Sequence, residues 1–243
     1  CLIALIYNNP YNPIFCLYFM KKIELAIFDY DGVIVDSFKT LHLAYGQICK
    51  ELGGKYKSDI NQFKKDYMAS TNHLLFMEGL GITSDKHAQA DVIYKREQTK
   101  LETPLFSGIE EVLTEISNSM SMIIVSSNHT SEIVNRLSKD NLLRLFDNIL
   151  GNETDGTYFH KTRPIRAAIR EFGLSSNSVV SVGDRTRDFF YAVEAGIPAE
   201  NIILVDYGWG YDEQKIKSAG YCLETKVDSP IKILDALEEI RQK

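Results

Sequence analysis

The sequence predicts an α/β protein in which a Rossmann-like parallel sheet is flanked by helices and a small all-helical domain is inserted after the first strand. Two observations support this prediction. From residue 23 to the C-terminus, short apolar runs alternate with amphipathic stretches, as expected for parallel strands covered by helices. Residues 38–104, by contrast, show helical spacing and no convincing strand.

Six apolar runs are predicted to form the strands of the sheet. They cover residues 23–28, 122–125, 148–150, 179–182 and 202–205, with an edge strand at 221–223. The helices between and after them are predicted at 109–116, 131–137, 165–172, 189–195 and 231–240. The insertion then lies beside the carboxyl edge of the sheet, where open α/β folds bind ligands, so we interpret it as a lid.

These elements divide the chain into three predicted parts. Residues 20–37 and 105–243 form the α/β core, and residues 38–104 form a helical cap. Residues 1–19 are an apolar and aromatic extension that two prolines break well short of a membrane span. We assign no function to this extension.

Composition and charge argue against several classes of protein. The net charge of −6 at pH 7 leaves no basic stripe with which to neutralise nucleic-acid phosphates. The four cysteines, at positions 1, 16, 49 and 222, have no paired short spacing that would indicate a zinc site or a disulfide framework. We therefore expect a cytoplasmic monomer or homodimer that binds a small molecule and neither nucleic acid nor membrane.

Asp29, Asp31 and Gly32 lie at the end of the first predicted strand, in the run FDYDGVIVDS. At such a strand end, Asp29 can point into a crevice as a nucleophile, and Asp31 can hold or deliver a proton. Gly32 permits a tight bend and lets backbone N–H groups approach a phosphate. Considered alone, so short a motif is also compatible with a structural turn rich in aspartate.

Polar groups that follow two later strands favour the functional interpretation. Ser126 and Ser127 come directly after residues 122–125 and offer hydroxyl groups to phosphate oxygens, and either one could bind the phosphate. Lys161 precedes a predicted helix, where its cation can neutralise both Asp29 and an incoming phosphate.

Asp184 and Asp188 follow another strand and supply carboxylates for a hard cation. Mg²⁺ prefers oxygen ligands and keeps several waters, so the Asp29 carboxylate, the Asp31 carbonyl and Asp184 suffice to hold it. Asp188 then binds the ion directly or supports one of these ligands. The sequence therefore predicts a Mg²⁺ site at the carboxyl edge of the sheet.

In this order, the motifs resemble those of the haloacid dehalogenase-like superfamily, and within it the phosphatases related to phosphoglycolate phosphatase. The resemblance covers the chain from about residue 22 to the C-terminus. It implies Mg²⁺-dependent hydrolysis of a small phosphomonoester, phosphoglycolate among the candidates, and a helical cap between the first and second motifs. The resemblance implies that Asp29 forms an aspartyl-phosphate, that Asp31 acts as the acid and base, and that Ser126 binds the phosphate. It also implies that Lys161 is the lysine of the third motif and that Asp184 and Asp188 are the acidic residues of the fourth.

Two alternative functions stay open at this point. A phosphosugar mutase of the beta-phosphoglucomutase type shares the first motif, yet usually has a histidine twelve residues after the nucleophile. Here Leu41 stands at that position, and His42 is one place further along. A catalytically silent binding protein could also keep the fold, because fold does not imply function.

Overall fold

The structure is a computed structural model that describes residues 2–4, 17–19, 21–70, 73–101, 103–153 and 159–243. Near the N-terminus, β1 (Leu2–Ala4) and β2 (Leu17–Phe19) pair in antiparallel orientation, apart from the main sheet. The rest of the predicted extension, residues 1–19, lies outside the described residues. Among the described residues, no helix combines the length and apolar composition needed to cross a membrane.

A six-stranded parallel sheet forms the centre of the fold. Its strands are β3 (Leu25–Phe28), β4 (Ser121–Val125), β5 (Asn148–Leu150), β6 (Val179–Gly183), β7 (Ile202–Val205) and β8 (Thr225–Val227). Their order across the sheet is β5-β4-β3-β6-β7-β8, so β3 is central and β4 and β6 lie on its two sides. The prediction of a Rossmann-like parallel sheet is confirmed.

The central strand is apolar on both faces because helices cover both sides of a parallel sheet. Ala26 and Phe28 pack into the hydrophobic cluster on one face, and Leu25 and Ile27 pack into the cluster on the other. All four side chains are buried. The continuous apolar run at the first strand is therefore a direct consequence of its central position.

Among its described residues, the insertion after β3 contains four α-helices. They are α1 (Ser37–Leu52), α2 (Ile60–Ala69), α3 (His73–Gly79) and α4 (His87–Lys100). They share a hydrophobic cluster that includes Tyr45, Phe63, Phe76 and Ile93, and Trp209 reaches this cluster from the loop after β7. The predicted all-helical cap after the first strand is confirmed, and its division from the core at 38–104 stays a prediction.

In the part of the chain that the structure describes, six further α-helices cover the sheet. They are α5 (Ile109–Ser117), α6 (Thr130–Lys139), α7 (Thr162–Glu171), α8 (Thr186–Ala195), α9 (Glu213–Ser218) and α10 (Lys232–Gln242). Helices α5, α6 and α10 contribute buried residues to one hydrophobic cluster, and α7, α8 and α9 contribute to the other. The sheet is therefore the middle layer of three.

The edge strand lies later in the chain than the sequence predicted. Residues 221–223 are not a strand, and β8 begins at Thr225. In β8, Thr225 and Val227 are buried and Lys226 is exposed, as expected for an edge strand with one covered face. The prediction was wrong because it relied on an apolar run, whereas this strand alternates. The short helix α9 was also not predicted.

Candidate functional site

The end of β3 places Asp29 at the carboxyl edge of the sheet. The Asp29 backbone N–H donates to the Val182 carbonyl at 2.9 Å, which continues the pairing of β3 with β6. One side-chain oxygen, Oδ1, accepts a hydrogen bond from the Tyr30 N–H at 2.7 Å. The chain then bends at Gly32, whose φ of 81° is a conformation that glycine adopts readily.

Lys161 bridges two carboxylates at this edge. Its Nζ atom lies 2.7 Å from Asp29 Oδ2 and 2.8 Å from Asp188 Oδ1, and all three residues are buried. Burial alone would raise the pKa of Asp188, but the Lys161 ammonium lowers it below its ordinary value. Although burial lowers the pKa of Lys161, the carboxylates of Asp188 and Asp29 raise it overall, so this lysine is charged at neutral pH.

Asp184 supplies a third buried carboxylate to the same region. One oxygen each from Asp29, Asp184 and Asp188 lies within 4.8 Å of the others. Asp184 Oδ2 accepts a hydrogen bond from the Trp209 N–H at 2.6 Å, whereas Oδ1 is buried without a hydrogen-bond partner among the described residues. Burial, together with the nearby charges of Asp188 and Asp29, raises the pKa of Asp184 well above its ordinary value.

Asp29, Asp184 and Asp188 bring three carboxyl groups together in one buried region around the Lys161 ammonium. Hard divalent cations bind carboxylate oxygens, and Asp184 Oδ1, which has no hydrogen-bond partner in the part of the chain that the structure describes, provides one such ligand. Asp29, Asp184 and Asp188 therefore fit a divalent cation. Asp31 enters the predicted ligand set through its backbone carbonyl and is not one of these three carboxylates.

Two carboxyl groups at the end of β3 hold protons more tightly than usual. Burial raises the pKa of Asp29 to about 6, although the Lys161 ammonium opposes this effect. Burial also raises the pKa of Asp31. The Asp31 Oδ2 atom accepts a long hydrogen bond, 3.5 Å, from the side-chain amide of Asn128. A carboxyl group with a raised pKa is suited to donate and accept a proton near neutral pH.

Two glycines allow the loops around Asp184 to approach each other. A Cβ atom at Gly32 would lie 1.9 Å from Asp184 Oδ2, and a Cβ atom at Gly208 would lie 2.6 Å from Asp184 Cβ. Real Cβ atoms essentially never make contacts this short. Gly32 was predicted for close approach to a phosphate, and in the structure it also makes room for this carboxylate.

The two candidate phosphate-binding serines differ in their surroundings. Ser126 is fully buried at the end of β4, and its hydroxyl accepts a hydrogen bond from the Asn128 N–H at 3.2 Å. Ser127 is exposed and lines the cavity next to the site, as Asn128 does. The choice between Ser126 and Ser127 as the phosphate ligand stays open.

A cavity of about 320 Å³ lies between the cap and the carboxyl edge of the sheet. Asp29, Asp31 and Lys161 line its core side. Arg185 and Arg187, which follow β6, also line it and add positive charge to its wall.

The cap side of the cavity carries aromatic and polar groups. Tyr67, Tyr94, His73 and Gln98 are among its lining residues. Tyr67 also contacts the core, because the Arg185 guanidinium lies 5.9 Å from its ring centroid. The predicted lid therefore forms one wall of the space that holds the predicted nucleophile.

The position that distinguishes the mutases has an apolar side chain here. Leu41 lines the cavity, whereas His42 is buried within the cap. The His42 Nε2 atom lies 2.8 Å from the Lys57 carbonyl oxygen, and its ring stacks on Tyr56 with centroids 5.1 Å apart. His42 is thus turned towards the interior of the cap.

Sequence reasoning placed Trp209 only in the loop after a core strand, without a contact to an acidic group, and assigned no role to Lys64. Trp209 holds Asp184 through its backbone N–H, and Lys64 donates to the Gly208 carbonyl at 2.9 Å. A tryptophan flanked by glycines in the loop after a strand was a usable signal for the first residue. No local pattern distinguishes Lys64 from the neighbouring lysine of its helix.

Comparison with known proteins decides the family. The family model described as haloacid dehalogenase-like hydrolase matches residues 26–202, which include the cap and most of the core. The chain belongs to this hydrolase family.

Three proteins that are similar to this chain are distant from it in sequence. A phosphoglycolate phosphatase from Vibrio cholerae is 23% identical over 207 residues, which cover 80% of this chain and 89% of the relative. A Clostridium difficile protein provisionally assigned as a phosphatase has a TM-score of 0.74 at 23% identity, covering 89% of this chain and 99% of that one. A Thermotoga maritima protein provisionally assigned as a beta-phosphoglucomutase has a TM-score of 0.66 at 22% identity, with the same coverage. At these identities the structural likeness establishes the fold alone.

The family match confirms the resemblance predicted from the four motifs. The expectation of an enzyme from the haloacid dehalogenase-like hydrolases is likewise confirmed, and the Vibrio cholerae relative supports a phosphatase. The roles predicted for individual residues of this family member stay predictions.

Proposed function

We propose that this chain is a Mg²⁺-dependent phosphatase that hydrolyses a small phosphomonoester through an aspartyl-phosphate on Asp29. The observation that supports it best is the convergence of three buried carboxylates and Lys161, of which Asp29 and Lys161 line the cavity. Phosphoglycolate is the first substrate to test, since the Vibrio cholerae relative is named for it.

In the first step, Asp29 attacks the phosphorus atom of the substrate. An Asp29 Oδ–P bond forms and the bond from phosphorus to the leaving oxygen breaks. The hydrogen bonds from the Tyr30 N–H and Lys161 hold the carboxylate in one orientation. Phosphoryl transfer depends mainly on such positioning and on charge neutralisation, and Lys161 offsets the repulsion between Asp29 and the phosphate dianion.

Asp31 serves as the acid and then as the base. Its raised pKa makes the protonated form available, so it can donate a proton to the leaving alcohol oxygen. In the second step a water oxygen attacks phosphorus, Asp31 accepts the water proton, and the Asp29 Oδ–P bond breaks. Inorganic phosphate leaves, and Asp29 is restored as a carboxylate.

The carboxylates of Asp29, Asp184 and Asp188, together with the Asp31 carbonyl, would hold Mg²⁺. When bound, this ion supplies positive charge that stabilises the charge on the phosphoryl oxygens. Ser126 or Ser127 would donate to the phosphate from the end of β4. The cap would exclude bulk water from the cavity while Asp29 is the nucleophile.

Phosphate release from a panel of metabolite phosphates and p-nitrophenyl phosphate, measured with and without Mg²⁺, tests this proposal. We expect Mg²⁺-dependent release and, after acid quench of a reaction with labelled substrate, a phosphoryl group on the wild-type chain but not on Asp29→Asn. Full turnover by Asp29→Asn under Mg²⁺ would exclude the mechanism. No release from any ester would favour a silent binding protein.

A mutase remains the second candidate because the first motif is shared. Conversion of hexose 1-phosphate to its isomer without release of inorganic phosphate would establish it. The apolar Leu41 at the position of the mutase histidine, and the inward orientation of His42, favour hydrolysis.

A further inference from the structure

We propose that Lys64 is a positioning residue that couples closure of the cap to the orientation of Asp184, acting through the peptide bond between Gly208 and Trp209. The inference rests on the proposed function, because it takes Asp184 as a metal ligand.

Two hydrogen bonds use opposite ends of the same peptide group. The Lys64 Nζ atom, on α2 of the cap, donates to the Gly208 carbonyl oxygen at 2.9 Å. The Trp209 N–H, in the core, donates to Asp184 Oδ2 at 2.6 Å. In a planar trans peptide the C=O and N–H point in opposite directions, so a contact that fixes one also fixes the other.

The Lys64 ammonium also strengthens the hydrogen bond from the Trp209 N–H to Asp184. An ammonium group at a carbonyl oxygen polarises the peptide, and its N–H becomes a better donor in a buried region. Trp209 and Asp184 are both buried, and Lys64 is half-buried at the boundary of cap and core.

The peptide has little freedom to turn without moving Asp184. A Cβ atom at Gly208 would lie 2.3 Å from the Gly32 carbonyl oxygen and 2.7 Å from Asp184 Oδ2. The loop after β7 is therefore packed directly against the loop after β3 and against the carboxylate. A rotation of the Gly208–Trp209 peptide therefore moves the side chain of Asp184.

Residues of the cap hold Lys64 and Trp209 together, and we call Phe38, Lys64, Tyr67 and Trp209 the tryptophan clasp. The Lys64 ammonium lies 5.4 Å from the Phe38 ring centroid. The rings of Phe38 and Tyr67 each contact the Trp209 ring at a centroid distance of 5.4 Å. The hydrogen bond from Lys64 therefore forms only when α2 lies against the core.

The clasp determines which oxygen of Asp184 can bind a cation. Oδ2 is occupied by the Trp209 N–H, and Oδ1 is buried without a hydrogen-bond partner among the residues that the structure describes. Opening of the cap would withdraw the ammonium from Gly208 and loosen Asp184. By linkage, a bound cation must then favour the closed cap to the same extent.

Divalent-cation affinity tests the coupling directly. Lys64→Met removes the charge and keeps the length of the side chain, and Lys64→Arg restores a charged donor. Lys65→Met changes the adjacent, exposed lysine of the same helix and serves as the matched control. With Mn²⁺ binding followed by electron paramagnetic resonance, we expect about tenfold weaker binding for Lys64→Met. Lys64→Arg should recover part of the affinity, and Lys65→Met should bind as the wild type does.

Tryptophan fluorescence provides a second measurement, which can be made on the wild type alone and extended to the variant. Trp209 is the single tryptophan of the chain and is 7% exposed. Saturating Mg²⁺ should reduce quenching of its emission by acrylamide in the wild type, because the cation favours the closed cap. Lys64→Met should shift the emission to longer wavelength.

The outcomes separate this inference from the proposed function. Wild-type Mn²⁺ affinity in folded Lys64→Met, or quenching of wild-type Trp209 that Mg²⁺ does not change, would overturn the coupling and leave the phosphatase intact. If Lys64→Met does not fold, the effect of Mg²⁺ on acrylamide quenching of Trp209 in the wild type is the test of the coupling. A wild-type chain that binds no Mn²⁺ would overturn the proposed metal site and this inference with it.

Discussion

Replacing Asp29 with asparagine should abolish turnover and, in the metal-free chain, stabilise the fold at neutral pH. Burial raises the pKa of Asp29 from 3.8 to about 6, so this carboxyl ionises less readily in the folded chain than in the unfolded one. The difference between these pKa values corresponds to about 3 kcal/mol of stability at pH above 6. Asparagine has nearly the same shape and no charge, so the variant does not lose this free energy.

The raised pKa of Asp29 fixes how the stability difference between Asp29→Asn and the wild type changes with pH. A group whose pKa is higher in the folded chain binds protons more tightly there, so its contribution to stability falls as pH rises from about 4 to about 6. The advantage of Asp29→Asn over the wild type should therefore be small near pH 4, grow through this window, and stay constant above it.

Asp188→Asn is the matched control with the opposite sign. Asp188 contacts the same ammonium group as Asp29, but Lys161 lowers the pKa of Asp188 below its ordinary value. Its charge therefore stabilises the fold above the ordinary pKa of an aspartate, and this contribution disappears as pH falls through the folded pKa. Asp188→Asn should lose stability at neutral pH, with a deficit that shrinks in acid.

Urea denaturation in EDTA between pH 4 and pH 8 measures both variants against the wild type. A stability of Asp29→Asn that equals or falls below the wild type at pH 7.5, or a difference that does not vary with pH, would refute the reasoning from burial. If both variants gained stability relative to the wild type, or both lost it, the surroundings of the two carboxylates would not differ as described.

Three further predictions concern other parts of the site. Gly32→Ala should lower the urea midpoint far more than Gly53→Ala, because both glycines have φ near 80° but only the first would place a Cβ atom against a carboxylate. Ser126→Ala should slow phosphate release about 100-fold and Ser127→Ala less than about threefold, by analogy with the loss of an oxyanion donor, and the reverse result assigns the phosphate to Ser127. Asp31→Asn should slow the hydrolysis of alkyl phosphates by about 100-fold or more and that of p-nitrophenyl phosphate much less, since the latter needs no proton on its leaving group. Equal losses of rate for the two kinds of substrate would exclude acid catalysis by Asp31.

Much of the candidate site was predictable because it lies at strand ends. Asp29, Ser126 and Asp184 each follow an apolar run, and the carboxyl ends of parallel strands meet at one edge of a sheet. The local pattern was sufficient to predict that these residues lie at the same edge of the sheet. It was not sufficient for the edge strand β8, where an alternating strand gives a weaker signal than an apolar run.

The fold class, the inserted helical cap and the strand ends that carry the acidic groups could be predicted from the sequence, because strand and helix periodicity are properties of neighbouring residues. The bridge from Lys161 to Asp29 and Asp188 is visible only in the folded structure, as is the Asp184 oxygen that has no hydrogen-bond partner among the described residues. Lys64 and Gly208 are 144 residues apart in the chain, and their contact depends on how the cap packs against the core. Such contacts are chosen by packing between distant segments, for which no local pattern exists.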